Sequence, residues 1–299
     1  MTEAEFLAAL RTLPLHPAAR GLRDDVALLD PAGPLVLTTD TMVEGIHFLP
    51  TDPAMDVAWK LGAVNLSDLA AKGALPLGLM LNYTLTGDDA WDAAFVEGLR
   101  QLDCNLIGGD TVSLPPGAPR VFTLTAIGMD AAAPPRSGAQ VGDALYVTGT
   151  IGDAGAGLAI ACGTAGPDAL LTAYRRPMPR LADGRALARH VHAMMDVSDG
   201  LLIDAARMAD ASGLALAIDL ALVPLSRALL DFAGESHATR ITAATAGDDY
   251  QLLFAAAPDL ALPVAATRIG SFAAGSGLSL YDGAERIALP SRLGFEHRV

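Results

Sequence analysis

Residues 55–85, MDVAWKLGAVNLSDLAAKGALPLGLMLNYTL, change period partway along. Over 55–72 the apolar residues recur at helical spacing, and the run stops at Lys72-Gly73. From 77 to 85 (LGLMLNYTL) the chain reads as a strand. A helix that delivers straight into a strand is the building unit of an α/β chain. Working outward, further strand-like runs occupy 35–39 (LVLTT), 120–128, 144–148, 214–219, 250–256 and 278–281. Helix-like runs occupy 89–102, 153–162, 180–192 and 199–211. The fold class is therefore mixed α/β (α+β). The best break is 130–143 (DAAAPPRSGAQVGD), which divides the chain into domains at 1–135 and 136–299. The stretch 112–119 (VSLPPGAP) reads as a hairpin or strand-to-strand loop.

Composition narrows the function classes. The 299 residues are 52% hydrophobic and 18% charged, enough to bury a sizeable core and too apolar for a disordered chain. Much of that apolarity is small, with 57 Ala, and no run of 18 bulky apolar residues suggests a membrane span. The first residues, MTEAEFLAALRTL, carry acid where a signal peptide carries base, so the expectation is a soluble cytoplasmic protein. A net charge of −14 offers no surplus to neutralise nucleic-acid phosphates. Cys104 and Cys162 form neither a CxxC pair nor a disulfide framework.

The acids are 27 Asp against 7 Glu, and many of the Asp fall at junctions where α/β folds present ligands. Asp24 and Asp25 precede an apolar run, Asp40 follows the run 35–39 beside Thr38 and Thr39, and Asp68 sits within the helical stretch. Asp110 follows Gly108-Gly109, Asp196 and Asp199 flank Ser198 ahead of a helix, and Asp248 and Asp249 precede a strand. Each alone is explained as a turn or helix cap. If they converge they need a counter-cation, since two carboxylates about 4 Å apart repel by about 4 kcal/mol at an effective dielectric near 20. Oxygen-only ligands select a hard ion, Mg²⁺ rather than Zn²⁺.

Such a site usually serves phosphate chemistry, yet no GxxxxGK[ST], kinase motif or strand-borne GxGxxG is present. The stretch 149–157 (GTIGDAGAG) is either a phosphate-facing helix start or a tight turn with close helix packing. No GxSxG elbow occurs, and Ser198 has no His at a motif spacing to act as its base. His47 is either structural or, given Asp40 seven residues before it, functional. Arg136 on the linker is either a solvated charge or a phosphate clamp.

In order, 38–48 (TTDTMVEGIHF), 64–74 (VNLSDLAAKGA), 107–111 (IGGDT), 134–138 (PPRSG), 148–158 (TGTIGDAGAGL) and 195–202 (MDVSDGLL) resemble the thiamine-monophosphate kinase family. That family belongs to a wider superfamily with aminoimidazole ribonucleotide synthetase. The resemblance implies two mixed α/β domains, the N-terminal one binding metal and ATP and dimerising through its sheet. It implies an enzyme that uses several Mg²⁺ ions to pass the γ-phosphoryl group of ATP directly to thiamine monophosphate, giving thiamine diphosphate. Carried over, the metal ligands are Asp25, Thr38, Thr39, Asp40, Asp68, Asp110, Asp196 and Asp199. Gly109, Asp110, Arg136 and Ser198 meet ATP, and His47, Asp248 and Phe295 meet the substrate. No residue is needed as general base, because an ionised phosphate oxygen is already nucleophilic. The implied partners are the two substrates and a second copy of the chain, with no nucleic acid and no membrane.

Three positions depart from the family pattern. Arg23 stands where Gly is usual, Asp248 where Glu is usual, and Arg298 where an aromatic is usual, with Phe295 a nearby substitute. Two alternatives follow: another ATP-dependent member of the superfamily, or a protein that binds ATP and thiamine phosphates without turnover. The branches that use a reactive Cys place it in a mobile terminal segment, and neither Cys104 nor Cys162 is near an end.

Overall fold

The computed structural model describes residues 1–297. It falls into two compact units, residues 1–69 with 74–131 and residues 70–73 with 132 onward.

The N-terminal unit contains α1 (Glu3–Leu10), β1 (Leu35–Val43), α2 (Ala54–Ala70), β2 (Leu75–Leu85), α3 (Asp89–Arg100), β3 (Leu106–Ser113) and β4 (Val121–Met129). The strands form one sheet in the order β1-β4-β2-β3, with β2 and β3 parallel and the other pairs antiparallel. Because β2 lies between β3 and β4, the 112–119 stretch is a strand-to-strand loop and not a hairpin. Local chemistry starts the helices: Thr2 and Glu5 form a capping box on α1, and Asp88 accepts from the N–H groups of Ala90 and Trp91 on α3. Strand alternation buries Leu81, Tyr83, Phe122 and Leu124 on one sheet face. There Tyr83 stacks on Phe6 (4.2 Å) and on Phe122 (4.9 Å), and its hydroxyl donates to the fully buried Asp92 at 2.7 Å. The opposite face leaves Leu37, Met80 and Val112 exposed.

Two boundaries differ from the sequence reading. β1 does not end at Thr39 but continues to Val43, because β4 supplies a partner for each residue from Leu35 to Val43. Tertiary pairing overrides the poor strand propensity of Asp40. The Gly-Gly-Asp-Thr segment likewise lies inside a strand, β3, and not at a junction.

The C-terminal unit contains β5 (Ala144–Val147), α4 (Asp153–Ala161), α5 (Asp168–Arg175), α6 (Leu181–Leu187), β6 (Ala193–Asp196) and α7 (Leu201–Ser212). It continues through β7 (Ala215–Asp219), α8 (Arg227–Ala233), α9 (His237–Thr245), β8 (Leu252–Ala256), β9 (Thr267–Ala273), β10 (Gly277–Asp282) and β11 (Glu285–Ile287). Its seven strands run β11-β10-β7-β9-β5-β8-β6, with β7 and β10 the parallel pair. One core cluster gathers Leu145, Val147, Met195, Leu201, Ile218, Leu253 and Phe272, and a second gathers Tyr146, Leu187, Met194, Leu252 and Phe254. The expected helix 180–192 stops at Leu187, and the chain enters β6, whose four residues are all buried. β6, Ala-Met-Met-Asp, has no β-branched or aromatic residue to mark it as a strand, unlike the equally buried β5 and β8.

Candidate active site

In the N-terminal unit the structure brings Thr38, Asp40 and Asp68 together. Thr38 and Asp40 share one face of β1, and the Thr38 hydroxyl donates a short hydrogen bond to Asp68 Oδ2 from α2. Burial, and then the neighbouring Asp68 charge, push the Asp40 carboxyl up to about 6. On the same turn of α2, Asn65 Oδ1 and Ser67 Oγ are buried with no hydrogen-bond partner. Oxygen donors and a disfavoured like-charge pair suit a hard divalent cation.

Alternation sends Thr39 the other way. Its hydroxyl donates to the Leu124 carbonyl at 3.2 Å and accepts from Thr125 at 3.0 Å. Asp110 aligns with Asn82, Thr123 and Thr41, whereas Asp40 aligns with Leu124, Leu81 and Gly109, so Asp110 and Asp40 belong to opposite sheet faces. Asp110 instead shares a cleft of about 590 Å³ with Asp24, Asp25 and Gly109, walled by Leu7 and Leu10 of α1. Gly109 is dictated by space, since a Cβ there would lie 1.8 Å from the Leu81 carbonyl oxygen. Among the described residues no three His, Cys, Asp or Glu side chains form a ready metal cluster. The carboxylates come instead as separate groups within each unit. Arg23 has φ −124°, open to any residue, so the departure from Gly costs the backbone nothing.

His47 closes the turn after β1. Its Nδ1 accepts the Val43 N–H at 3.0 Å, which puts the ring proton of the neutral form on Nε2. The buried Lys60 ammonium donates to the His47 carbonyl at 3.1 Å. Glu44 accepts three hydrogen bonds from Arg120, one from its main-chain N–H (2.9 Å) and two from the guanidinium (2.9 and 3.1 Å), which lies 4.4 Å over the Trp91 ring. Sequence reading missed Lys60 and Arg120, whose roles depend on a fold-made contact.

In the C-terminal unit, Asp196 ends β6 and is buried, and Ser198 and Asp199 lie in the loop before α7. Both loop N–H groups donate to Oδ2 of Asp204, a fully buried carboxylate that no sequence motif singled out. Arg136 is exposed on its linker. The next glycine, Gly138, is forced because a Cβ would sit 2.0 Å from the His192 carbonyl oxygen.

Asp248 (φ +70°) and Tyr250 (φ +48°) are both left-handed, an unusual backbone for L-residues, and the Tyr250 hydroxyl donates to Asp248 Oδ1 at 3.1 Å. Between them Asp249, pushed far above the usual carboxylate range by burial, accepts the Gly152 N–H at 2.7 Å and the Ala154 N–H at 3.4 Å. That carboxyl caps α4 from within, so the 149–157 loop is a packed turn and not an anion cradle. Its glycines make room: a Cβ on Gly155 would meet Ala246 at 2.4 Å, and one on Gly157 the Leu170 carbonyl at 2.0 Å. Phe295 is exposed and lines a cleft of about 320 Å³ with Thr245, Gly247, Arg292 and Glu296. Arg298 lies outside the described residues. Burial pushes the Cys104 thiol up to about 11, which leaves it protonated and inert at neutral pH.

Comparison with known proteins gives this geometry its context. The family models described as AIR synthase related protein, N-terminal domain and C-terminal domain match residues 23–129 and 140–283. A thiamine-monophosphate kinase of Caulobacter vibrioides is 39% identical, spanning 99% of this chain and 91% of its own length. The crystal structure of thiamine-monophosphate kinase from Stenotrophomonas maltophilia K279a superposes with a TM-score of 0.78 at 38% identity, over 87% of this chain and 89% of that one. The structure of AaThiL complexed with AMPPCP and TMP gives 0.77 at 29% identity, over 87% and 86%. Matched in both domains and along nearly its whole length, the chain belongs to the thiamine-monophosphate kinase family.

Proposed function

We propose that this chain phosphorylates thiamine monophosphate, passing the γ-phosphoryl group of ATP in line to the acceptor phosphate and releasing thiamine diphosphate. The observation that carries the reading is its likeness, across both domains, to AaThiL complexed with AMPPCP and TMP. That complex holds an ATP-like nucleotide and TMP together.

Two phosphate anions must be brought together, so the need is charge neutralisation and positioning rather than a base. Several Mg²⁺ ions, when bound, supply that neutralisation. The residues that would hold them are Asp25, Thr38, Asp40, Asp68 and Asp110 in the N-terminal domain (1–135) and Asp196 and Asp199 in the C-terminal domain (136–299). Thr39 joins them from its main chain, its hydroxyl being committed to Leu124 and Thr125. Gly109 and Ser198 lie next to Asp110 and Asp199 and meet the ATP phosphates with them, and Arg136 adds its guanidinium. His47, held as an Nε2–H donor, meets the acceptor phosphate, while Asp248 and Phe295 line the thiamine side. The exposed sheet face bearing Leu37, Met80 and Val112 supports a homodimer, and dependence on ATP fits action in the cytoplasm.

The test incubates the purified chain with ATP, thiamine monophosphate and Mg²⁺ and follows thiamine diphosphate directly. Product that requires all three is the expected result. Nucleotide binding with no product under any divalent cation would overturn the reading in favour of a non-catalytic binder.

A further inference from the structure

All four main-chain hydrogen-bonding groups of Ser198 and Asp199 are committed. Their N–H groups both donate to Asp204 Oδ2, at 3.1 and 3.0 Å. Their carbonyls accept from the N–H of Asp248 and the N–H of Phe295, each at 2.8 Å. The side chain of Asp199 is tied as well: Arg207 Nη1 donates to Asp199 Oδ2 at 2.5 Å and to Asp204 Oδ1 at 2.8 Å. Asp204 and Arg207 are three apart on α7, which places them on one helix face. Asp204 is fully buried, whereas Arg207 is about one-third exposed.

One buried carboxylate thus divides its two oxygens between two jobs. Oδ2 fixes the backbone of the loop, and from that loop hang the segments bearing Asp248 and Phe295. Oδ1 seats the guanidinium that aims the Asp199 carboxylate. Charge-assisted hydrogen bonds in a dry interior are strong and directional, so this arrangement resists drift.

We propose that Asp204 and Arg207 are positioning residues for the transfer, Asp204 setting the nucleotide side and the acceptor side together and Arg207 setting the nucleotide side alone. The proposal rests on the kinase reading above. A purely stabilising role would not divide the ligands this way. Asp204→Asn keeps the shape but removes the negative charge, so neither the two loop N–H groups nor the guanidinium keeps its charge-assisted hydrogen bond and both jobs are weakened.

The experiment uses the full chain and two readouts. Calorimetry measures the affinity for AMPPCP with Mg²⁺ and, separately, for thiamine monophosphate. Hydrogen exchange in the ligand-free protein follows the amides of Ser198, Asp199, Asp248 and Phe295. Arg207→Met should raise the Kd of the nucleotide about tenfold and leave that of thiamine monophosphate within about twofold, with Arg207→Lys recovering part of the loss. Asp204→Asn should raise both Kd values by roughly 10–100-fold and speed exchange at the four amides together. Unchanged exchange at Asp248 and Phe295 in Asp204→Asn, or equal weakening of both ligands in Arg207→Met, overturns the assignment. Should the unmodified chain bind neither ligand, the kinase reading fails, while the exchange pattern still decides whether Asp204 holds the three segments. Arg207 is partly exposed, so its variants fold even if those of Asp204 do not.

Discussion

Replacing Asp40 by Asn should make the metal-free protein more stable while abolishing its activity. The carboxyl is held up to about 6 against an ordinary value of 3.8. About two units at 1.36 kcal/mol each correspond to roughly 3 kcal/mol of disfavoured ionisation. An acid whose folded value is raised binds more protons folded than unfolded, so it lowers stability as pH climbs through the window between the two values. In the absence of metal that loss is about half complete near pH 5 and reaches its full size, about 3 kcal/mol, by pH 8. Asn carries no charge, keeps the shape and escapes the loss. The assay is thermal unfolding in EDTA and in Mg²⁺ at pH 5 and pH 8. In EDTA at pH 8 the variant should melt roughly 5 °C or more above the unmodified chain, with a smaller gain at pH 5. Mg²⁺ should stabilise the unmodified chain and do much less for the variant. A variant that melts at or below the unmodified chain in EDTA at pH 8 would refute the reasoning, because Asp40 would then not be strained by burial and by Asp68.

Other expectations follow from single contacts. Gly109→Ala drives a methyl into the Leu81 carbonyl and should break the β2–β3 pairing, read as a loss of several degrees in melting temperature or of soluble expression. Asp249→Ala removes the internal cap of α4 and strands two buried N–H groups, a loss of about 1–3 kcal/mol measurable by urea unfolding. Arg120→Met releases Glu44 and the turn bearing His47, so KM for thiamine monophosphate should rise severalfold with KM for ATP unchanged. Equal changes in both constants would count against that assignment. Asp248→Glu restores the usual side-chain length and should keep or tighten thiamine monophosphate binding; complete loss would show that the pocket is built around Asp.

Much of the fold was legible because period and breakers are local properties. The 55–85 stretch announced α2 and β2, and the Pro-Pro-Arg-Ser-Gly linker lies between the two matched domain models. What local pattern could not show was the extent of pairing. β1 ran on through Asp40 because β4 was there to pair with it, and β6 was hidden because Ala-Met-Met-Asp carries no β-branched or aromatic strand signal. The C-terminal tail was least informative, since its cleft around Phe295 is assembled from segments far apart in the chain.

By itself the sequence determined the alternation of helices and strands, the oxygen-rich and lysine-poor chemistry of the candidate ligands, and the motif order that marks the family. Tertiary structure alone decided which of those aspartates share an environment. Strand alternation placed Asp40 with Asp68 but put Thr39 and Asp110 on the other face. It also chose between equal readings of the 149–157 loop, because the carboxyl that occupies the start of α4 comes from Asp249, almost a hundred residues later. Asp204 shows the same limit: its carboxyl matters through groups on several segments, and only folding brings them within hydrogen-bond reach.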